Sequence, residues 1–261
     1  MNSRKPPQDD KYKIAIYLDR IWNIVFFISI IVTIFQKIYI GNKDFLFLNI
    51  NALVLIVLFF LEYLRGKNIN KATIIRRKNL FDTTFGLNRI HNKVDEFYDN
   101  QDINDKMIKL FANSHESMFF TKNISLIMLR HQYMVIGVIV ILFLISIFNS
   151  GITEVNFITM GLLLSYFGVG RTLDIKSVHE GSSKLFEESL RIANDMELEI
   201  KEINRAEMLE VIINYESILS SMNFVLSDCI YNKKRDELTE SWLEIKKNYR
   251  VYNEGNKSFS D

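Results

Sequence analysis

Four uncharged apolar runs constrain this chain more than its length or its average composition. The first, "IWNIVFFISIIVTIF" at 21–35, continues with "QKIYI" to residue 40. That is about the 20 residues an α-helix needs to cross a ~30 Å hydrocarbon layer at roughly 1.5 Å per residue. A second, "FLFLNINALVLIVLFFL", covers 45–61; a third follows His131 as "QYMVIGVIVILFLISIF" to 148; a fourth, "VNFITMGLLLSYFGVG", covers 155–170. The connections "GNKD" at 41–44 and "NSGITE" at 149–154 are short and carry the Gly, Asn and Ser of tight turns, so neighbouring runs are antiparallel. Backbone groups in lipid must be satisfied within their own segment, so the richness in Ile and Val reads as helix rather than strand.

The expected architecture is an all-α membrane protein with four transmembrane helices in two hairpins, and a cytoplasmic helical domain formed by the central segment and a C-terminal helical hairpin. The segmentation is a cytoplasmic N-terminal arm at 1–20, transmembrane hairpin 1 at 21–64, a cytoplasmic central segment at 65–130, transmembrane hairpin 2 at 131–171 and a cytoplasmic C-terminal helical region at 172–261. The first run exceeds a signal-peptide core, lacks a small-x-small cleavage site and is followed at once by another run, so it is expected to persist in the mature chain. Basic residues at the run ends set orientation. Arg4, Lys5, Lys11, Lys13 and Arg20 precede the first run, and Arg65, Lys67, Lys71, Arg76, Arg77 and Lys78 follow the second. Lys122 and Arg130 precede the third, Arg171 and Lys176 follow the fourth, and the opposite side has only Lys37 and Lys43. Both termini and the central segment are therefore expected in the cytoplasm. The single Cys229 cannot form an intrachain disulfide and reads as an apolar helix residue. No Pro follows Pro7, which favours long helices.

The central segment is net basic, and its apolar residues Val94, Phe97, Met107, Ile108, Leu110 and Phe111 predict short packed helices. Within it, "NLFDTTFGLNRI" at 79–90 sets Phe81, Phe85 and Leu87 as packing residues, Asp82 as a cap on a helix or turn, and Gly86 as a bend. The C-terminal region is net acidic. Val178, Leu185, Ile192, Met196 and Ile203 form one stripe of a long helix; Leu209, Ile212, Ile213, Ile218, Leu219 and Met222 mark a second, from about 206 toward Tyr231. Their opposite charge predicts that this hairpin docks on the central segment, within a protomer or between protomers.

The chain carries no glycine-rich phosphate loop, Cys cluster, paired histidines at metal-ligand spacing or nucleophile elbow, so no catalytic residue, metal or cofactor is expected and the chain is not read as an enzyme. His91, His115, His131 and His179 are scattered and read as structural, His131 marking a membrane interface. Asn49, Asn51, Thr159, Gly161 and Ser165 lie in the runs as candidates for a pore lining or for helix contacts, with solvation near the headgroups as the alternative for the asparagines. No charge lies deep in a run, which weighs against an ion-coupled carrier.

Two stretches carry a family resemblance. "LFDTTFGLNR" supplies Leu80, Phe81, Asp82, Thr83, Phe85, Leu87 and Asn88, and "SDCIYNKKRDELTESW" supplies Asp228, Ile230, Tyr231, Arg235 and Trp242. In these residues and in layout the chain resembles the SMODS-associated four-transmembrane effectors of bacterial antiphage signalling. It has Gly86-Leu87 where that family has a Pro-Trp pair, and Glu240-Ser241 before Trp242 where the family has Pro-Asp. The resemblance implies an effector in a bacterial inner membrane that responds to a cyclic oligonucleotide or to its synthetase, forms a homo-oligomer and breaches the bilayer. Arg76, Arg77, Lys78 and Arg89 would then contact a nucleotide, the alternative being lipid headgroups. The bilayer is the expected partner, and no nucleic acid polymer is. A housekeeping channel or carrier, and a non-conducting membrane scaffold or sensor, are the alternatives in other functional classes.

Overall fold

The computed structural model of the chain describes residues 7–39, 44–87, 100, 102–150, 170–196, 202–249 and 252. Among these residues the chain is all-helical, with six α-helices: α1 (Asp9–Tyr39), α2 (Asp44–Phe85), α3 (Lys106–Ser150), α4 (Arg171–Asp195), α5 (Glu202–Ser221) and α6 (Asp228–Asn248). Two compact units share them. One contains Met1–Asp9, Thr73–Leu129 and Asp174–Asp261; the other contains Asp10–Ala72 and Arg130–Leu173.

The long helices follow from the scarcity of Pro and from well-formed ends. α2 runs for 42 residues without a break, so "NLFDTTF" is the last stretch of this helix and not the start of a separate short one. It stops at Gly86, whose φ of 71° is a left-handed conformation suited to glycine, and Leu87 N–H donates back to the Asp82 carbonyl at 3.2 Å. Together these make a Schellman ending. Asp82 serves the helix end through its backbone carbonyl, and its side chain is fully buried. α3 opens on Asp105, whose carboxylate accepts from the N–H groups of Met107 and Ile108 at 2.8 and 3.0 Å.

The larger unit has a conventional core. Phe111, Met118 and Phe119 of α3 pack with Ile175, Val178, Leu185, Phe186 and Ile192 of α4, Met208, Val211 and Leu219 of α5, and Leu238 and Trp242 of α6. Val178, Leu185, Ile192 and Met196 are buried as the spacing predicts, but the helix ends at Asp195 and Ile203 belongs to α5. The second C-terminal helix also departs from expectation. It ends at Ser221, and a new helix begins at Asp228, where the Ser227 hydroxyl accepts from Ile230 N–H. Leu209 and Ile213 face outward at 46% and 58% exposure, while Met208, Val211 and Tyr215 point into the core. Cys229 is exposed at the start of α6 rather than packed.

The smaller unit is built differently. Its buried apolar cluster is Trp22, Phe26 and Leu58, supported by Val25, Val54 and Leu61, which joins the start of the first apolar run, in α1, to the latter part of the second, in α2, as antiparallel neighbours require. Leu53, Leu55, Ile56, Phe59 and Phe60 of α2 are exposed, as are Met134, Val138, Ile141 and Ile145 of α3. Among the described residues α3 is the one helix long and apolar enough to cross a membrane. The stretch that qualifies lies within Lys106–Ile145, has mean hydropathy 2.0 and is only 12% buried, unlike the core helix of a soluble protein.

Candidate functional site

The strongest electrostatic feature of the larger unit joins α2 to α5. Arg76 and Arg77 both turn toward Glu216, Arg76 Nη2 donating to Oε1 at 2.5 Å and Arg77 Nε to Oε2 at 3.0 Å. Arg77 also reaches the Glu216 carbonyl at 3.4 Å and the Ser220 hydroxyl. The Arg76 and Glu216 side chains are only 12% and 11% exposed. Next to Glu216, the buried Tyr215 hydroxyl lies 2.9 Å from Ser117 Oγ and 2.8 Å from Thr121 Oγ1 on α3. Burial raises the Tyr215 pKa, while the Arg76 charge and the two hydroxyls act in the opposite direction. One polar junction therefore fastens α2, α3 and α5. Of the four basic residues considered for a nucleotide or headgroup, Arg76 and Arg77 are engaged here, Lys78 is exposed, and Arg89 lies outside the described residues.

The resemblance-bearing residues fall mostly in the same unit. Leu80, Asp82 and Thr83 are buried, and Phe81 and Phe85 stack with ring centres 5.9 Å apart on the edge of the core; Leu87 is half-buried and Asn88 lies outside the described residues. A chain of buried amides continues from this helix end. Asn113 donates to Thr84 Oγ1 at 3.3 Å, and Asn100 Nδ2 lies 3.1 Å from Asn113 Oδ1 and 2.7 Å from Glu116 Oε2. In α6, Trp242 is fully buried, Ile230 and Tyr231 pack against the core, and Asp228 and Arg235 are exposed. The motif therefore supplies packing and helix-end geometry.

His115 sits at the centre of an aromatic cluster. Its ring lies 4.8 Å from Phe186 and 5.2 Å from Trp242, and Nδ1 is 2.8 Å from the hydroxyl of the fully buried Tyr252. Burial, reinforced by the Lys122 charge, lowers its pKa to about 3. It is accordingly a neutral structural residue at neutral pH. Burial also drives the Tyr252 pKa well up, so its hydroxyl stays protonated. Lys246 is nearly buried too and pairs with Asp102 at 2.7 Å, so α6 is anchored by an ion pair as well as by Trp242. Among the described residues no group of His, Cys, Asp and Glu could hold a metal.

The smaller unit has its own ion cluster. Asp19 on α1 accepts from Arg65 on α2 at 2.5 Å and pairs with Arg171 at the start of α4 at 3.5 Å; Arg65 also reaches Glu62 at 2.6 Å. Asn49 and Asn51 lie in α2, and Thr159, Gly161 and Ser165 lie outside the described residues.

Neither Asp19 nor Glu216 was singled out from sequence. Counting Lys and Arg to orient the runs ignores acids, which hid Asp19, and Glu216 stands in "NYESI" with no neighbouring motif. A signal was present in each case: an acid close to an apolar run, and an acid beside inward-facing Tyr215 in a helix. The sequence matches no family model, and neither a curated protein nor a solved structure matches the chain.

Proposed function

We propose that this chain is a four-span protein of a bacterial inner membrane, with both termini in the cytoplasm, that acts as an effector of an antiphage second-messenger system. It assembles as a homo-oligomer and permeabilises the membrane, killing or arresting the infected cell. The observation that carries the membrane part of this reading is the inverted packing of the smaller unit, with apolar faces on α2 and α3 turned outward. Large exposed apolar patches of that kind call for a partner, and lipid suits side chains with no polar rim among them. The Asp19 cluster supports the topology. Asp19 precedes the first apolar run, Arg65 follows the second and Arg171 follows the fourth, the three ends that two hairpins return to one face.

The effector part rests on the resemblance in "LFDTTFGLNR" and in the α6 segment, and on the absence of catalytic motifs from the sequence. Its trigger is a cyclic oligonucleotide or contact with the enzyme that makes it. The test is dye uptake and membrane depolarisation in bacteria expressing the chain with and without an activated synthetase. Uptake that requires both components is expected. Baseline permeability with the protein present in the membrane and the messenger being made would refute the effector reading.

A further inference from the structure

We infer that the smaller unit selects phospholipids with a net negative headgroup, and that Arg20, Lys67 and Arg130 are the side chains that hold the lipid phosphate. The inference rests on the membrane part of the reading above and is independent of the effector part. It comes from a pattern repeated on three helices. On α2, positions 56, 60, 63 and 67 are three or four residues apart and so share one helix face. Ile56, Phe60 and Tyr63 are exposed there, and the exposed Lys67 closes the stripe one turn beyond Tyr63. On α3 the exposed Arg130 opens a stripe that continues through Met134, Val138 and Ile141, all exposed. On α1 the exposed Arg20 opens one with Ile24 and Phe27. Each cation has an exposed tyrosine within one turn: Tyr17 on α1, Tyr63 on α2 and Tyr133 on α3.

Such a stripe matches a phospholipid from tail to headgroup. The acyl chain lies along the apolar side chains, the tyrosine ring suits the interface, and the long cationic side chain reaches the phosphate with its stem still on apolar surface. α1 and α2 present their cations at the same end of this unit, because Asp19, next to Arg20, pairs with Arg65, two positions from Lys67. The same contact sorts the charges. Asp19 and Glu62 are both taken by Arg65 in part-buried contacts, whereas Arg20, Lys67 and Arg130 are exposed and make no ion pair among the described residues. This outward set is therefore positive and uncompensated. A zwitterionic headgroup brings its own ammonium to its phosphate, and an anionic one does not, so the three cations favour the anionic lipid.

The test is electron paramagnetic resonance of spin-labelled lipid at the surface of the full-length protein, in vesicles of equal phosphatidylglycerol and phosphatidylethanolamine. Wild type is expected to hold labelled phosphatidylglycerol about fivefold more strongly than labelled phosphatidylethanolamine. Arg20→Gln, Lys67→Gln and Arg130→Gln together should bring that ratio to about one. The charge-keeping set Arg20→Lys, Lys67→Arg and Arg130→Lys should retain the preference, as should Lys233→Gln, which removes an exposed cation of α6. A Gln triple variant that keeps the wild-type ratio, or vesicle-bound wild type with no preference, overturns the inference and leaves the membrane reading standing. If the triple variant does not insert, the salt response of wild type decides: a preference that falls several-fold from roughly 0.05 to 0.5 M salt supports the inference, and a constant one overturns it. Full-length protein that stays in the aqueous fraction refutes the membrane reading and this inference with it.

Discussion

Trp242 and Phe59 are both large aromatic side chains on helices, yet one is 0% exposed and the other 76%. The difference separates the two units of this chain. The larger unit hides its apolar side chains around α3 and turns charge outward, as folding in water requires. The smaller unit buries Trp22, Phe26 and Leu58 and turns most of its described bulky apolar residues outward. Equal hydrophobicity thus leads to opposite placement. What decides it is pattern: the larger unit spaces its apolar residues three and four apart among polar ones, while the smaller unit has unbroken runs with no polar face to offer water.

The largest expected effect is on the aromatic pair itself. Trp242→Ala should destabilise the larger unit by about 3–5 kcal/mol, whereas Phe59→Ala should cost less than about 1 kcal/mol, because no cavity forms where the side chain already faces outward. Chemical unfolding in detergent, followed by protease resistance of each unit, measures both. Similar losses at the two sites would erase the contrast.

A second, smaller effect separates the units by pH. The His115 pKa of about 3 lies below its ordinary 6.5, so as pH falls the unfolded chain takes up the proton first. The stability from a neutral His115 is complete above pH 6.5 and drains away between there and pH 3. About 2 kcal/mol should be lost from the larger unit on going from pH 7 to pH 5. His115→Gln should flatten the slope in this window; an unchanged slope would locate the proton uptake elsewhere.

The smallest effect concerns the end of α2. Gly86→Ala should cost roughly 1 kcal/mol, since φ is positive there, although a Cβ would meet open space. A neutral result would show that the turn can relax.

Much of the helical architecture was legible in the sequence, because long apolar runs and three-four stripes are properties of local pattern. Val178, Leu185, Ile192 and Met196 show this directly. The break between α5 and α6 was not legible: "MNFVLS" is apolar through Leu226 apart from Asn223, and only Ser227 marks the new start. In α5 the expected stripe is buried at Ile212 and Leu219 but exposed at Leu209 and Ile213, and Tyr215 and Glu216 are buried with partners on α3 and α2 that helix periodicity cannot supply. The same reason hid the junction. Arg76 and Arg77 looked like basic residues awaiting a phosphate or a headgroup, and the carboxylate that engages them stands 140 positions away along the chain from Arg76.

The central claim, that the smaller unit lies in lipid and the larger unit in water, is tested most directly by cysteine labelling. Cys229 is native and exposed on α6, and single cysteines at Ile56 and Val138 in a Cys229→Ser background sample the outward apolar faces. In inside-out inner-membrane vesicles, a membrane-impermeant maleimide should label Cys229 readily and leave positions 56 and 138 unlabelled until detergent is added. Labelling at 56 and 138 as fast as at Cys229 in intact vesicles would contradict the account.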